Sequence, residues 1–162
     1  MSNIGFDRSI EKAGGKVIRT NIGDRYVSEM MKKVNAVLGG EQSGHIIFSQ
    51  YSTTGDGLLT SLQLMKVLLE EEKPLSNLAS VMEKYPQIIL NYEVKDKEQF
   101  LKNICIKKFI KEIENELDGK GRIFVRASGT EPLIRILLEG EDKNKLEKIS
   151  QNLREVIEKE DV

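Results

Sequence analysis

The sequence has few of the residues on which several classes of protein depend. Its single cysteine, Cys105, has no partner for an internal disulfide; this fits a reducing compartment, and we expect a cytoplasmic protein. With one histidine and one cysteine, the chain cannot assemble a zinc cluster. Because Cys105 lies between two isoleucines, we expect a buried structural thiol rather than a nucleophile.

Charge of one sign and long apolar runs are also scarce. The 25 Lys+Arg and 26 Asp+Glu residues leave a net charge of -1, whereas a nucleic-acid-binding chain is expected to be basic. No apolar run approaches the ~18 residues needed to span a bilayer, and the N-terminus lacks the pattern of a signal peptide. We therefore predict neither a nucleic-acid partner nor a membrane partner.

The composition is nevertheless suited to a hydrophobic core. Of the 162 residues, 39% are hydrophobic and 31% are charged, and domains are usually ~100–200 residues long. The length allows one ordinary domain or two small ones, and a charged run, EEEK, ends at Pro74. We predict a partial α/β domain over 1–73, a linker over 74–86 and a small α+β domain over 87–162.

Hydrophobic spacing divides the first part into alternating elements, which is the order typical of an α/β layer structure. Asp24 is placed to cap a helix, and Asp56 is placed to cap the next one. The β-branched segment KVIRT has the length of a short strand. The expected elements are a helix before Gly14, a strand over 16–20, a helix from Asp24, a strand over 45–51 and a helix over 58–72.

The second part has a different rhythm, which predicts an antiparallel sheet with two helices. Its last two strands are separated by only five residues, 128–132, so we expect a hairpin. An apolar stripe at helical spacing predicts a final helix; it consists of Leu146, Ile149, Leu153 and Ile157. The expected elements are a short helix over 75–84, strands over 88–94, 122–127 and 133–139, and helices over 107–117 and 143–159.

The segment RASGTEPLIR (126–135) has the residues needed to bind a phosphate dianion. Arg126 and Arg135 flank the loop, and guanidinium groups pair with phosphate oxygens. Ser128 and Thr130 supply hydroxyl donors, and Gly129 permits a concave nest of backbone amides. The alternative is a tight hairpin turn with solvated arginines at the strand ends, because Ser-Gly turns are common.

A second candidate is GGEQSGH (39–45). If this segment is extended, Glu41, Ser43 and His45 project to one side. A carboxylate and a hydroxyl on one side suit recognition of sugar hydroxyls or an amine. The alternative is a glycine-rich turn before a strand, with His45 as an incidental polar residue. The segment does not have the residue order of a phosphate-binding P-loop.

Two further loops contain charged residues, but their sequence patterns are weaker evidence for a binding site. Arg25, in the first turn of its helix, is placed to reach an anionic ligand, and a surface arginine is the alternative. In TTGDG (53–57), Asp56 is the only carboxylate, so we interpret the segment as a turn and cap rather than a metal site.

Taken together and in order, GDRYV (23–27), GGEQSGH (39–45), TTGDGLLT (53–60) and RASGTEPLIR (126–135) resemble the phosphohexomutase superfamily. The resemblance covers essentially the whole chain, and it is strongest to the branch that acts on glucosamine phosphates. It implies the later part of domain three followed by domain four. Members interconvert 6-phospho and 1-phospho sugars through a sugar bisphosphate, with Mg²⁺ as cofactor.

The resemblance also implies roles for individual residues. The sugar-contacting residues would be Glu41, Ser43 and His45, with Arg25 as a further residue of the cleft. The phosphate that is not transferred would be held by Arg126, Ser128, Gly129 and Thr130, with Arg135 supporting that loop.

The chain departs from the family in two motifs. It contains neither the phosphoserine loop, which resembles T-A-S-H-N-P, nor the Mg²⁺ loop, which resembles D-G-D-x-D-R. Phosphoryl transfer needs a donor group and a cation, so we predict no catalytic residue, no metal ligand and no activity in this chain alone. In the family the segment matching MSNIGF follows a core strand, so we interpret the chain as a C-terminal fragment. We expect an exposed sheet edge that causes dimerisation, exchange of elements or marginal stability.

Other interpretations remain open. The chain could be a non-catalytic phosphosugar-binding or mutase-associating module that uses the same two loops. It could belong to another phosphohexomutase, acting on mannose or glucose phosphates. A third interpretation treats both loops as turns in an unrelated α+β protein.

Overall fold

The computed structural model describes residues 2–160. The chain divides into two compact units, the first ending at Glu83 and the second beginning at Lys84. The segment predicted as a linker, 74–86, contains this division. Within the described residues, no helix is both long enough and apolar enough to cross a membrane.

The first unit consists of helices and one small hairpin. The side chain of Asn3 caps the first helix, since its Oδ1 accepts a hydrogen bond from the amide of Gly5 at 3.0 Å. The elements are α1 (Ile4–Lys12), α2 (Asp24–Val34), β1 (Leu38–Gly40), β2 (Ile46–Phe48), α3 (Gly57–Glu71) and α4 (Leu75–Ala79).

Helix α2 packs on the hairpin and forms a small core with it. Val27 and Met31, one helical turn apart, are buried with Ile47 of β2, as the apolar spacing predicts. The predicted cap is wrong by one residue: Gly23 is the N-cap, and Asp24 is the first helical residue. A glycine is favoured there because its φ of 127° is strained for other residues.

The strands β1 and β2 pair antiparallel, with Leu38 opposite Phe48 and Gly40 opposite Ile46. The strand predicted over 45–51 is therefore shorter than expected, and Gly39 and Gly40, which the alternative interpretation placed in a turn, belong to β1. The strand predicted over 16–20 is wrong, since these residues have no regular structure. Its β-branched residues favour an extended backbone, but a strand also requires a hydrogen-bonded neighbour.

Helix α3 begins where the sequence predicts it. The Oδ1 of Asp56 accepts a hydrogen bond from the amide of Leu59 at 2.9 Å, which confirms Asp56 as a cap. The helix is apolar, yet none of its residues is buried. The following helix, α4, ends at Ala79 rather than near the predicted residue 84.

The second unit has a three-stranded antiparallel sheet in the order β3-β5-β4. The predicted hairpin of the last two strands is confirmed, and so is the α+β class. The sequence pattern does not predict one short helix, α5. The elements are β3 (Gln87–Glu93), α5 (Lys97–Lys102), α6 (Ile104–Leu117), β4 (Gly121–Ala127), β5 (Leu133–Gly140) and α7 (Lys143–Lys159).

The core of this unit lies between one face of the sheet and its helices. Strand β5 is central, and alternate residues on it, Ile134, Ile136 and Leu138, are fully buried in this core. The predicted stripe of α7 is buried against them, and Phe100 of α5 is fully buried as well.

The prediction that Cys105 is buried is wrong, because the cysteine is exposed. Helix α6 buries Ile106, Ile113 and Leu117. A neighbouring residue on a helix is turned by ~100°, so Cys105 lies to the side of the buried stripe. Flanking isoleucines therefore do not imply burial within a helix.

Candidate functional site

The β4–β5 hairpin places two arginines side by side. Arg126 and Arg135 are directly opposite each other on paired strands, on the face of the sheet away from Ile134 and Ile136. Like charges opposite each other destabilise a sheet unless something compensates them. Both Nε atoms are buried, and neither has a hydrogen-bond partner within residues 2–160. This pair is thus a site of positive charge with unused donors.

Glu131 compensates part of this charge. Its carboxylate forms an ion pair with the Nη2 of Arg135 and lies 3.5 Å from the Oγ of Ser128. Sequence reasoning assigns no role to Glu131, although its partner Arg135 is only four residues further along the chain. The carboxylate holds the side chain of Arg135 near the loop.

Ser128 maintains the shape of the loop. It is 4% exposed, its amide donates to the carbonyl of Leu133 at 2.8 Å, and its Oγ accepts from the amide of Glu131 at 3.3 Å. Gly129 and Thr130 are exposed at the tip, and the space beside the Cα of Gly129 is open. The tip of the loop therefore offers accessible backbone.

Lys97 is a residue of this loop region that sequence reasoning misses. Its Nζ donates to the carbonyl of Ser128 at 2.9 Å and to that of Glu131 at 3.2 Å. The only sequence feature near Lys97 that could have pointed to it is a helix start at Asp96, whose side chain caps the amides of Glu98 and Gln99. A groove of about 380 Å³ lies between the start of α5 and the loop.

The GGEQSGH segment forms a tight turn between β1 and β2 rather than an extended chain. The amide of Glu41 donates to the carbonyl of His45 at 2.9 Å, and Gly44 has a φ of 100°. The turn nevertheless brings the three predicted side chains together. The Nδ1 of His45 is 3.6 Å from the Oε2 of Glu41 and 3.5 Å from the Oγ of Ser43.

Two other motifs meet this turn. The Oε1 of Glu41 accepts a hydrogen bond from the amide of Gly23, at the start of α2, at 2.9 Å. A Cβ at Gly55 would lie 3.4 Å from the His45 ring, so the TTGDG loop packs beside the histidine. Three segments that are separate in sequence therefore surround the carboxylate of Glu41 and the imidazole of His45. We call residues 41–45 the Glu41–His45 turn.

Arg25 makes its side-chain contact along its own helix. Its Nε donates to the Oε1 of Glu29 at 2.8 Å, and the side chain is 82% exposed. The hydrogen bond and the charge of Glu29 raise the pKa of Arg25. The structure does not bring Arg25 into hydrogen-bond contact with the described residues of the Glu41–His45 turn.

A cluster that could hold a metal ion is absent from the described part of the chain, in which no three His, Cys, Asp or Glu side chains converge. The absence of metal ligands from this chain, which the missing Mg²⁺ loop predicts, stays a prediction.

The fold and these loops define a class of protein: an α/β chain that presents a carboxylate-histidine turn in one unit and a hairpin with two opposed arginines in the other. Family comparison is more specific. Residues 1–85 match phosphoglucomutase/phosphomannomutase alpha/beta/alpha domain III, and residues 64–156 match the C-terminal domain of the same family. The chain belongs to the phosphoglucomutase/phosphomannomutase family, which confirms the resemblance seen in the four motifs.

The chain is also similar in sequence to individual curated proteins. The chain is 49% identical over 160 residues to phosphoglucosamine mutase of Geobacillus kaustophilus, and 50% identical over 161 residues to that of Clostridium acetobutylicum. These matches cover 99% and 98% of this chain and 36% of each relative. The chain thus spans about a third of the length of the curated relatives that it matches.

Solved structures agree on the fold. An Aspergillus fumigatus N-acetylphosphoglucosamine mutase superposes with a TM-score of 0.82 at 18% identity, over 96% of this chain and 36% of the other. A variant of the same organism's N-acetylphosphoglucosamine mutase, in complex with glucose 1,6-bisphosphate, gives a TM-score of 0.74 at 16% identity, over 99% and 37%.

Proposed function

We propose that this chain supplies the sugar-binding and phosphate-binding parts of a phosphohexomutase that interconverts glucosamine 6-phosphate and glucosamine 1-phosphate through a bisphosphate. The sugar is proposed from the relatives, which are named phosphoglucosamine mutases. The observation that carries the proposal is the opposed pair Arg126 and Arg135, whose Nε donors are buried and unpartnered among the described residues. We also propose a cytoplasmic location, in keeping with the single cysteine.

The β4–β5 hairpin would hold the phosphate that is not being transferred. A phosphate dianion between the two arginines accepts charge-assisted hydrogen bonds, each contributing about 1.5–3 kcal/mol. It also removes the repulsion between the two guanidinium groups. Gly129 and Thr130 add backbone amides at the exposed tip, and Ser128 keeps the loop in shape.

The Glu41–His45 turn would contact the sugar. Glu41 is held by the amide of Gly23 through one oxygen, and its second oxygen lies 3.6 Å from the Nδ1 of His45, so an amine or hydroxyl of the sugar would bind at this pair. Ser43 and His45 are exposed beside it. Arg25, which pairs with Glu29, is the weakest member of this proposed set.

Transfer of the phosphate requires groups beyond these. The reaction needs a phosphoryl donor and a cation that offsets the charge on the transferring oxygens. The 162 residues contain neither family motif that supplies them. We therefore propose binding without turnover for this chain alone. A mutase assay with added Mg²⁺ and glucosamine bisphosphate tests this, and appreciable turnover would contradict it.

Isothermal titration calorimetry with glucosamine 6-phosphate tests the phosphate site. A lone site with a few hydrogen bonds is expected to bind with a Kd on the order of millimolar, near −4 kcal/mol. Arg126→Ala should weaken binding by at least tenfold. Arg154→Ala on α7 removes the same charge from the helical side of the unit and should bind as the unaltered chain does. If Arg126→Ala binds equally well, the phosphate assignment is wrong.

A further inference from the structure

Lys97 connects the start of α5 to the β4–β5 loop. Its ammonium group donates to two loop carbonyls, those of Ser128 and Glu131, at 2.9 and 3.2 Å. The lysine is half-buried. Since the carbonyls are three residues apart, one ammonium ties the beginning of the loop to its end.

The hydrogen bond from Lys97 to the carbonyl of Ser128 fixes the orientation of one peptide group of the loop. The carbonyl of Ser128 and the amide of Gly129 belong to the same planar trans peptide and point in opposite directions. Because the carbonyl faces Lys97, the amide of Gly129 faces away from it. Among residues 2–160, the structure shows no acceptor for the amides of Gly129 and Thr130, and such free neighbouring amides are suited to an anion.

We propose that Lys97 is a positioning residue for phosphate binding: by holding the carbonyl of Ser128 it keeps the amide of Gly129 oriented for an anion before the ligand arrives, and by holding the carbonyl of Glu131 it fixes the end of the loop. This inference rests on the proposed function. Lys97 acts on the ligand through the backbone. Preorganisation raises affinity because the loop does not have to be ordered on binding.

The experiment compares three variants of the full chain. Lys97→Met removes the donors and keeps the length of the side chain, and Lys97→Arg keeps a cationic donor. Lys102→Met is the matched control, since it removes the same charge from the same helix, where Lys102 pairs with Glu98. Three quantities are measured: the amide chemical shifts of Gly129 and Thr130 without ligand, the Kd for glucosamine 6-phosphate and the unfolding midpoint.

We expect Lys97→Met to shift both amide resonances and to raise the Kd about tenfold, with little change in the unfolding midpoint. Lys97→Arg should recover most of the affinity, and Lys102→Met should stay within twofold of the unaltered chain. Equal weakening by Lys97→Met and Lys102→Met would show a bulk charge effect and overturn the inference, as would an unchanged Kd in Lys97→Met.

The outcomes separate this inference from the proposed function. If the unaltered chain binds no phosphosugar, the proposed function fails, and the amide shifts alone decide whether Lys97 orients the loop. Unchanged shifts in Lys97→Met overturn that role, and altered shifts that Lys97→Arg restores support it. If the unaltered chain binds and Lys97→Met binds equally well, the proposed function stands and this inference falls.

Discussion

Gly39 allows α2 to pack tightly on the hairpin that carries the Glu41–His45 turn. A Cβ at this position would lie 2.3 Å from the Sδ of Met31 and 2.8 Å from a methyl group of Val27. Met31 is flexible, but the β-branched Val27 has little freedom to move away. The first glycine of the GGEQSGH motif therefore serves packing within the first unit.

We predict that Gly39→Ala destabilises the first unit by about 1–3 kcal/mol, the usual cost of overpacking. Urea unfolding followed by circular dichroism measures the change. Gly57→Ala is the matched control, because a Cβ there meets no atom within 4 Å and alanine favours a helix. Equal stability of Gly39→Ala and the unaltered chain would refute the packing argument.

Tyr92 makes the stability of the second unit change with pH in the alkaline range. Its hydroxyl is buried with no hydrogen-bond partner within the described residues. Burial raises the pKa of Tyr92 above its ordinary value of 10.0, with an added contribution from Glu158, and Arg154 opposes the shift. Above pH ~10 the unfolded chain releases this proton before the folded chain does, so stability falls as pH rises.

Tyr92→Phe removes this titration. We predict that the variant loses less stability than the unaltered chain between pH 9 and about 11, and that at pH 7 the two differ by less than about 1 kcal/mol, because the hydroxyl has no partner to lose. Urea unfolding across this pH range measures both. Parallel loss of stability in the two proteins would contradict the raised pKa.

At the scale of elements, the sheet of the second unit presents different chemistry on its two faces. One face packs on the helices. The other face carries a row of three polar side chains, one from each strand. These are Gln87, Glu139 and Arg122, which lie side by side on paired strands. Glu139 is 0% exposed, and it accepts hydrogen bonds from Gln87 at 2.6 Å and Arg122 at 2.7 Å. Its buried charge is thereby compensated.

We predict that Arg122→Leu destabilises the chain by about 3 kcal/mol, because it removes the ion-pair partner of a buried carboxylate. The double variant Arg122→Leu with Glu139→Leu should regain much of that loss, since no buried charge remains. Chemical unfolding of the single and double variants forms the test. A double variant no more stable than the single one would show that the buried charge is not the cause.

Elements differ in how well local sequence predicts them. The spacing predicts the final helix over 143–159, and the structure has it as Lys143–Lys159, because a long apolar stripe repeats at the helical period. The predicted strand over 16–20 is wrong, since pairing is not local. Helix α5 has six residues and a single buried side chain, Phe100, so it shows no repeated apolar stripe from which to predict it.

At the scale of the whole molecule, helix α3 has an unusual surface. An apolar helix is typically buried, yet six large side chains of α3 are between 42% and 79% exposed. They are Leu58, Leu62, Leu64, Met65, Val67 and Leu69. The self-association that the sequence predicts, through an exposed sheet edge, stays a prediction, and the apolar surface of α3 is a second candidate for the contact.

We predict that the chain self-associates through α3 and that Leu62→Lys weakens the association, because the lysine places a charge in the apolar contact. Sedimentation equilibrium measures the association constant. Ser61→Lys adds the same charge to the adjacent exposed position and should have a smaller effect. A monomeric unaltered chain would show that the prediction is wrong.

The sequence by itself determined the family and the α+β class of the second unit, because these depend on motifs and local periodicity, and the binding roles of the two loops stay predictions. Only the tertiary structure decided how the loops are held: Gly23 on Glu41, Glu131 on Arg135, and Lys97 on two carbonyls. It also decided that Cys105 is exposed and that the GGEQSGH segment is a turn. The physical reason is that such contacts form only in the folded chain: Gly23 and Lys97 come from other elements, and Glu131 meets Arg135 only in the folded hairpin.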